Sequence, residues 1–164
     1  MATATETGTS AFARAKYLFF MSRPRFWLYL AGPVLVGLAY GASTVGELLS
    51  PLPVALFVFF LLPANIMLYG INDIFDASID EYNPKKDEKE VRFDGDRVIT
   101  AVIGVCTVLG LGFVPLLPLE GAVWLAVFYF LSVEYSAPPL RFKTKPVLDS
   151  LSNGLYIVPG VVAY

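Results

Sequence analysis

The fold is decided by residues 48–80, which read LLSPLPVALFVFFLLPANIMLYGINDIFDASID. From Leu48 to Asn72 this stretch has no charged side chain, so it is long enough to cross a hydrocarbon layer that takes about 20 residues. Three aspartates follow, at a spacing that places them on one face of a helix: Asp73, Asp76 and Asp80. We therefore expect a membrane-crossing helix that carries an acidic cluster at its end.

The spacing of these aspartates suits a metal ion. At about 100° per residue, Asp76 and Asp80 lie about 60° and 20° from Asp73, so all three project from one face. Carboxylates at a helix C-terminus oppose the helix dipole unless a positive charge compensates them. With no histidine and a single cysteine in the chain, soft-metal sites are hard to build, whereas carboxylates suit Mg²⁺ or Mn²⁺. A magnesium site would in turn suggest a phosphate-bearing ligand; a merely solvated or capping acidic helix end is the alternative.

Composition predicts an integral membrane protein. Hydrophobic residues make up 56% and charged residues only 16% of 164 positions, which exceeds the usual apolar content of a soluble domain. Uncharged spans also cover residues 26–46 and 98–119, a shorter one covers 121–133 and could continue into Tyr135, and a fifth begins near Leu151. We predict an all-α, multi-pass transmembrane bundle. Because the fifth span is still apolar at Tyr164, we expect the sequence to be truncated within that helix.

The basic residues follow an alternating topology. All twelve lie in three segments: before the first span, between the second and third, and between the fourth and fifth. The positive-inside tendency places these segments, with the N-terminus and the Asp-rich loop, on the cytoplasmic side of the cell membrane. Acidic residues are interspersed with the basic ones and the net charge is −2, so nucleic-acid binding is not supported.

Two domains of unequal size follow from this pattern. Residues 1–21 comprise a polar tail and the segment Ala11–Met21, which is typical of an interfacial amphipathic helix or of a helix leading into the first span. Residues 22–164 form the transmembrane part. Within it, Pro63 is expected to bend the second span, and Asn65 and Tyr69 share the aspartate face, where they line a pocket or pack helices.

Two motifs resemble a known family. Asn72-Asp73-x-x-Asp76-x-x-x-Asp80, at the end of a second transmembrane helix, resembles the first aspartate-rich motif of the UbiA superfamily of intramembrane prenyltransferases. Tyr135-Ser136-Ala137-Pro138-Pro139-Leu140-Arg141-Phe142-Lys143 resembles the second signature of that family, after its fourth helix. The resemblance implies a fold of nine transmembrane helices around a central cavity, of which this chain would hold about five.

Two further segments of the sequence are similar to one branch of that superfamily. Residues 80–86, DEYNPKK, and 145–150, KPVLDS, resemble carotenoid-extending members from halophilic archaea, the lycopene elongase type. The chain departs from the family in two ways: many members carry an Arg-Pro pair where this one has Lys85, Lys86 and Lys89, and the second aspartate motif lies in a C-terminal half beyond this sequence.

The resemblance also implies roles. Asp73, Asp76 and Asp80 would hold Mg²⁺, with Asn72 orienting a ligand or water. The diphosphate of an isoprenyl substrate would contact Lys143 first. Further candidate contacts are Arg141, Lys145, Lys85, Arg92, Arg23 and Tyr135, although lipid headgroups explain Arg23 equally well and Tyr135 could only anchor its helix at the interface.

The implied reaction joins an isoprenyl group to a lipophilic acceptor, with dimethylallyl diphosphate and lycopene favoured, in the synthesis of C50 carotenoids of the bacterioruberin type. A quinone precursor or a glyceryl phosphate lipid is the alternative acceptor. From another class, a non-catalytic membrane subunit could bind a cation structurally, and the chain could also assemble with a separate chain carrying the other half.

Overall fold

The computed structural model describes residues 10–80, 93 and 95–164, with the backbone alone for residues 78–80. Within those ranges the regular structure is entirely helical, in agreement with the predicted all-α class. The α-helices are α1 Ala11–Met21, α2 Trp27–Gly41, α3 Val45–Leu48, α4 Pro51–Leu61, α5 Pro63–Asp80, α6 Arg97–Leu111, α7 Leu119–Glu134, α8 Pro146–Ser152 and α9 Val158–Ala163.

Most of the stretch 48–80 forms α4 and α5, which are separated by a break at Leu62. Leu62 has φ −127° and ψ −60°, outside the helical range, because the ring of Pro63 disfavours helical dihedrals in the residue before it. Pro63 also has no N–H to continue the ladder of helical hydrogen bonds. The amide of the fully buried Asn65 donates hydrogen bonds to the carbonyls of Phe60 and Leu61, at 3.0 Å each. The predicted bend at Pro63 is therefore confirmed, and Asn65 satisfies the carbonyls that the bend frees.

The helices pack around an apolar core and one close backbone contact. The rings of Phe60 on α4 and Phe128 on α7, both fully buried, meet edge to face with centroids 5.1 Å apart. Helices α2 and α9 approach so closely that a Cβ added to Gly37 would lie 2.0 Å from the carbonyl oxygen of Gly160. Glycine at this crossing lets the two backbones touch, as at many membrane helix contacts.

Within the part of the chain that the structure describes, two helical segments are long and apolar enough to cross a membrane by length and composition, Pro51–Ala77 and Arg97–Leu116. Only 22% of the apolar window in the second is buried within the described fold, so its apolar face needs a further partner or lipid. Helices α2 and α7, with 15 and 16 residues, are shorter than a full crossing, and their spans stay predictions.

The bounds of two predicted spans differ from the structure. The first ends at Gly41, and the short helix α3 contains Gly46, the predicted end. The apolar segment predicted to begin near Leu151 lies in two helices, because α8 starts at Pro146 and a 3₁₀ turn over Asn153–Tyr156 separates it from α9. Proline in the first turn of each helix favours these starts.

The N-terminal helix α1 is a separate element attached to α6. It ends at Met21, and Arg23 then has a left-handed backbone with φ 51°, so α1 does not run directly into α2. The Arg14 Nε donates to Asp96 Oδ2 at 2.8 Å, while Asp96 Oδ1 caps α6 by accepting from the Val98 N–H. The Arg14 guanidinium and this cap lower the pKa of the Asp96 carboxyl. One carboxylate thus joins two helices.

Candidate active site

The aspartate face of α5 forms the base of the candidate site. Asp73 is buried, with 2% of its surface exposed, and Asp76 lies one turn further along and is half-buried. Asn72 and Tyr69 continue the same region of the helix toward a cavity. Two carboxylates and one amide oxygen therefore lie together near the C-terminal end of α5.

Arg23 faces Asp73 from the loop between α1 and α2. Its Nη2 lies 3.6 Å from Asp73 Oδ1, and its guanidinium sits over the ring of Tyr69 at 4.6 Å from the centroid. The left-handed backbone of Arg23 is unusual for a residue other than glycine. Such conformations persist where surrounding contacts hold them, and here the ion pair and the aromatic ring do so.

Two further cations reach Asp76 from the segment after α7. Lys143 Nζ contacts Asp76 Oδ1 directly, and Arg141 Nη2 lies 3.5 Å from the same oxygen. Arg141 also has a left-handed backbone, with φ 44°. Arg23 and Arg141 are the two non-glycine residues with positive φ in the described part of the chain, and both face the aspartates.

A network of neutral groups connects the two motifs. Asn72 Oδ1 accepts from the Ser136 hydroxyl and, at 3.4 Å, from Lys143 Nζ. The Lys143 main-chain N–H donates to the Tyr135 carbonyl at 3.2 Å, which fixes the segment that carries the lysine. The two sequence motifs, far apart in the chain, thus form one site.

A small cavity opens beside these groups. It has a volume of about 130 Å³, and its walls include Arg23, Tyr69, Asn72, Tyr135 and Tyr156. The Tyr135 hydroxyl donates to Asp149 Oδ1 at 3.1 Å, on α8. The volume lies below the roughly 300–1,000 Å³ of typical small-molecule pockets, so the cavity suits a compact polar group.

Several predicted residues lie elsewhere. Asn65 donates its hydrogen bonds at the break between α4 and α5, and it does not line the cavity beside the aspartates. Lys145 is exposed at the start of α8 and has no ion pair with Asp73 or Asp76. The side chain of Asp80, and the whole of Lys85 and Arg92, lie outside the described residues.

The structure also adds residues that sequence reasoning did not assign a role. Ser136 lies inside the second motif, but nothing in its type distinguished it there. Asp149 lies in the KPVLDS segment and Tyr156 in the predicted fifth span, but neither was assigned to the site. The fold brings Asp149 to Tyr135 and Tyr156 to the cavity wall. Long-range contacts of this kind leave no periodic signal in the sequence.

The described donors fit a hard cation. Carboxylate oxygens of Asp73 and Asp76 and the amide oxygen of Asn72 are the ligand types that Mg²⁺ prefers. Among the described residues no group of three or more acidic, histidine or cysteine side chains is positioned to hold a metal ion. The third predicted ligand, Asp80, would have to complete such a group.

The structure thus combines a helical bundle that has apolar spans with paired carboxylates and cations at the end of one helix. Residues 30–164 match the UbiA prenyltransferase family. The chain belongs to that family, which is membrane-embedded, and the resemblance found in the two motifs is confirmed.

Several curated proteins are similar in sequence to this chain. The chain is 63% identical over 150 residues to the lycopene elongase/hydratase of Halobacterium salinarum, covering 91% of this chain and 54% of that protein. It is 58% identical over 151 residues to the protein of the same name in Haloferax volcanii, covering 92% and 50%. For that of Corynebacterium glutamicum the identity is 32% over 147 residues, covering 87% and 50%. The chain thus spans about half the length of these curated relatives. No solved structure matches it.

Proposed function

We propose that the protein transfers an isoprenyl group from an allylic diphosphate to a lipophilic acceptor, using Mg²⁺. The observation that carries this proposal is the pairing of Asp73 and Asp76 with Arg23, Arg141 and Lys143. Carboxylates that can hold a metal and cations that can hold a diphosphate lie side by side. The described site has three cations against two carboxylates, which favours an anionic ligand.

The reaction requires that negative charge be neutralised as it develops. The allylic C–O bond breaks, its electron pair leaves with the diphosphate, and an allylic cation remains. Bound Mg²⁺ would supply positive charge to the departing oxygens. Arg23, Arg141 and Lys143 would donate hydrogen bonds to the same oxygens, and such charge-assisted bonds are among the strongest available in a site screened from water.

The cavity supports separate positions for the diphosphate group and the isoprenyl chain of the substrate. Its small volume and its tyrosine, asparagine and arginine walls suit the diphosphate. The isoprenyl chain and the acceptor would then lie in the apolar region between helices. The motif residues Lys85, Arg92 and Lys145 remain proposed diphosphate contacts from family resemblance.

The relatives' names support lycopene as acceptor and dimethylallyl diphosphate as a donor suited to adding a five-carbon unit. The acceptor's terminal double bond would attack the allylic cation and form the new C–C bond. The resulting cation would lose a proton or take up water, and the word hydratase in those names supports the second route. We also propose that the N-terminus and the aspartate site face the cytoplasm, as the basic residues indicate.

Product analysis tests the acceptor. Membranes containing the full-length protein would be incubated with Mg²⁺, dimethylallyl diphosphate and lycopene, and mass spectrometry would follow the carotenoid. We expect products that are heavier by one or two five-carbon units, with or without added water. Products formed only with a quinone precursor or a glyceryl phosphate lipid would overturn the carotenoid assignment. Absence of transfer to every acceptor would favour the non-catalytic, cation-binding subunit.

A further inference from the structure

Given the proposed prenyl transfer, we infer that Lys143, assisted by Arg141, occupies the metal-binding oxygens of the ligand-free site and leaves them for the diphosphate when substrate arrives. The site would then admit the metal and the diphosphate together. This assigns Lys143 a second role, as a competitor of the metal, in addition to contacting the diphosphate.

The contacts show that the candidate metal ligands already have cationic partners. Lys143 Nζ contacts Asp76 Oδ1 and lies 3.4 Å from Asn72 Oδ1. Arg141 Nη2 is 3.5 Å from Asp76 Oδ1, and Arg23 Nη2 is 3.6 Å from Asp73 Oδ1. Asp73, Asp76 and Asn72, the described side chains whose oxygens could bind the metal, thus each face a protein cation.

Electrostatics makes these partners competitors. An ammonium group and a divalent cation on the same carboxylate oxygen repel each other at short range, and weakly hydrated surroundings strengthen that repulsion. Asp76 is half-buried and so is Lys143, whose side chain is 16% exposed. A metal ion alone must therefore displace Lys143 without giving it a new anionic partner.

A diphosphate removes the free-energy cost of leaving Lys143 without an anionic partner, because its oxygens accept hydrogen bonds from the displaced cations. Lys143 can move on its own, since its ammonium ends a flexible four-carbon stem. The surrounding backbone is fixed by bonds from the Lys143 N–H to Tyr135 O and from the Thr144 N–H to Arg141 O, at 3.2 and 3.0 Å. A change of side-chain rotamer is therefore sufficient. Metal and diphosphate would bind with positive coupling, and each would raise the other's affinity by the same factor.

The test measures binding and needs no turnover. The full-length protein in lipid nanodiscs would be titrated with Mn²⁺, and electron paramagnetic resonance would report the free ion. A second titration would use the preformed complex of Mn²⁺ with inorganic diphosphate. Lys143→Gln removes the competitor, Lys143→Arg keeps its charge, and Lys16→Gln is the control because it removes the same charge from an exposed position on α1, outside the site.

We expect Lys143→Gln to bind Mn²⁺ alone about tenfold more tightly, a change of about 1.4 kcal/mol, and to bind the Mn²⁺–diphosphate complex less tightly. Lys143→Arg should resemble the unmodified protein in the first titration, and Lys16→Gln should change the affinity for Mn²⁺ alone less than about twofold. If Lys143 had only a structural role, its replacement would weaken the binding of both Mn²⁺ alone and the Mn²⁺–diphosphate complex, or of neither.

Unchanged or weaker binding of Mn²⁺ alone by Lys143→Gln, in protein that elutes as the unmodified form does on gel filtration, would overturn the inference. Arg141→Gln provides a second variant, with the same expected direction, should Lys143→Gln fail to fold. If Asp76→Asn binds Mn²⁺ as the unmodified protein does, the metal lies elsewhere and the inference is wrong. The same is true if diphosphate does not raise the affinity of the unmodified protein for Mn²⁺. The proposed function fails separately, when the unmodified protein transfers no prenyl group to any acceptor.

Discussion

The guanidinium of Arg23 lies 3.6 Å from the carboxylate of Asp73 and stacks over Tyr69, so a loop residue before the first long helix neutralises a buried charge on α5. The pair brings the beginning of the chain to the first aspartate motif. It also gives a carboxylate with 2% exposure the cationic partner that a buried charge requires.

Replacing Arg23 should destabilise the protein through Asp73. Arg23→Gln leaves the buried carboxylate without its cation, and we expect a loss of about 1–3 kcal/mol, below the range for fully buried pairs because Arg23 is partly exposed. Thermal unfolding in detergent measures this, with Arg25→Gln at the exposed neighbouring position as control. The double variant Arg23→Gln with Asp73→Asn should recover part of the loss; an additive loss would contradict the pairing.

The contact between α2 and α9 predicts a contrast between two glycines on one helix. Gly37→Ala places a methyl group against the Gly160 carbonyl, whereas Gly32→Ala meets nothing within 4 Å. We expect the first change to cost about 1–3 kcal/mol and the second to be neutral or slightly stabilising. Equal melting temperatures for both variants would show that the helices do not cross at Gly37.

The helix break predicts a role for Asn65 in stability. Asn65→Leu keeps the branched shape of the side chain but leaves the carbonyls of Phe60 and Leu61 without their donor, which should cost about 1–3 kcal/mol. Guanidinium or thermal unfolding of the reconstituted protein would detect it. An unchanged midpoint would mean that these carbonyls find other donors.

Attachment of α1 to α6 should depend on pH in the acidic range. The folded state holds the Asp96 pKa below its ordinary value of about 4, so this stabilisation is fully present above that value. It is lost as the pH falls through the lower, folded-state pKa. Melting temperatures measured from about pH 6 to about pH 3 should therefore fall less steeply in Asp96→Asn, which keeps the cap but not the charge. Identical slopes would argue against the Arg14 pair.

Features that depend on local sequence were predictable. The uncharged stretches locate the long helices, Pro63 locates the break between α4 and α5, and the spacing of Asp73 and Asp76 places both on one face. Asn72 and Lys143 could be assigned to one site only through the two family motifs, because no rule of spacing connects residues so far apart.

Other features required the fold. The left-handed conformations of Arg23 and Arg141 depend on tertiary partners, and neither residue type favours positive φ by itself. The turn between α8 and α9 interrupts a stretch whose apolar character suggested one continuous helix. The contact of Asp149 with Tyr135 follows from the way α8 returns toward the site, which composition does not encode.

The most direct test of the central claim is transfer of a radiolabelled isoprenyl group from dimethylallyl diphosphate into the lipid-soluble fraction by the full-length protein. Lycopene would be the acceptor, with and without Mg²⁺, and Asp76→Asn would be compared with Glu120→Gln, an exposed carboxylate outside the site. We predict Mg²⁺-dependent transfer that falls at least about 100-fold in Asp76→Asn and is retained in Glu120→Gln. Transfer by Asp76→Asn at the rate of the unmodified protein would contradict the assignment of this site.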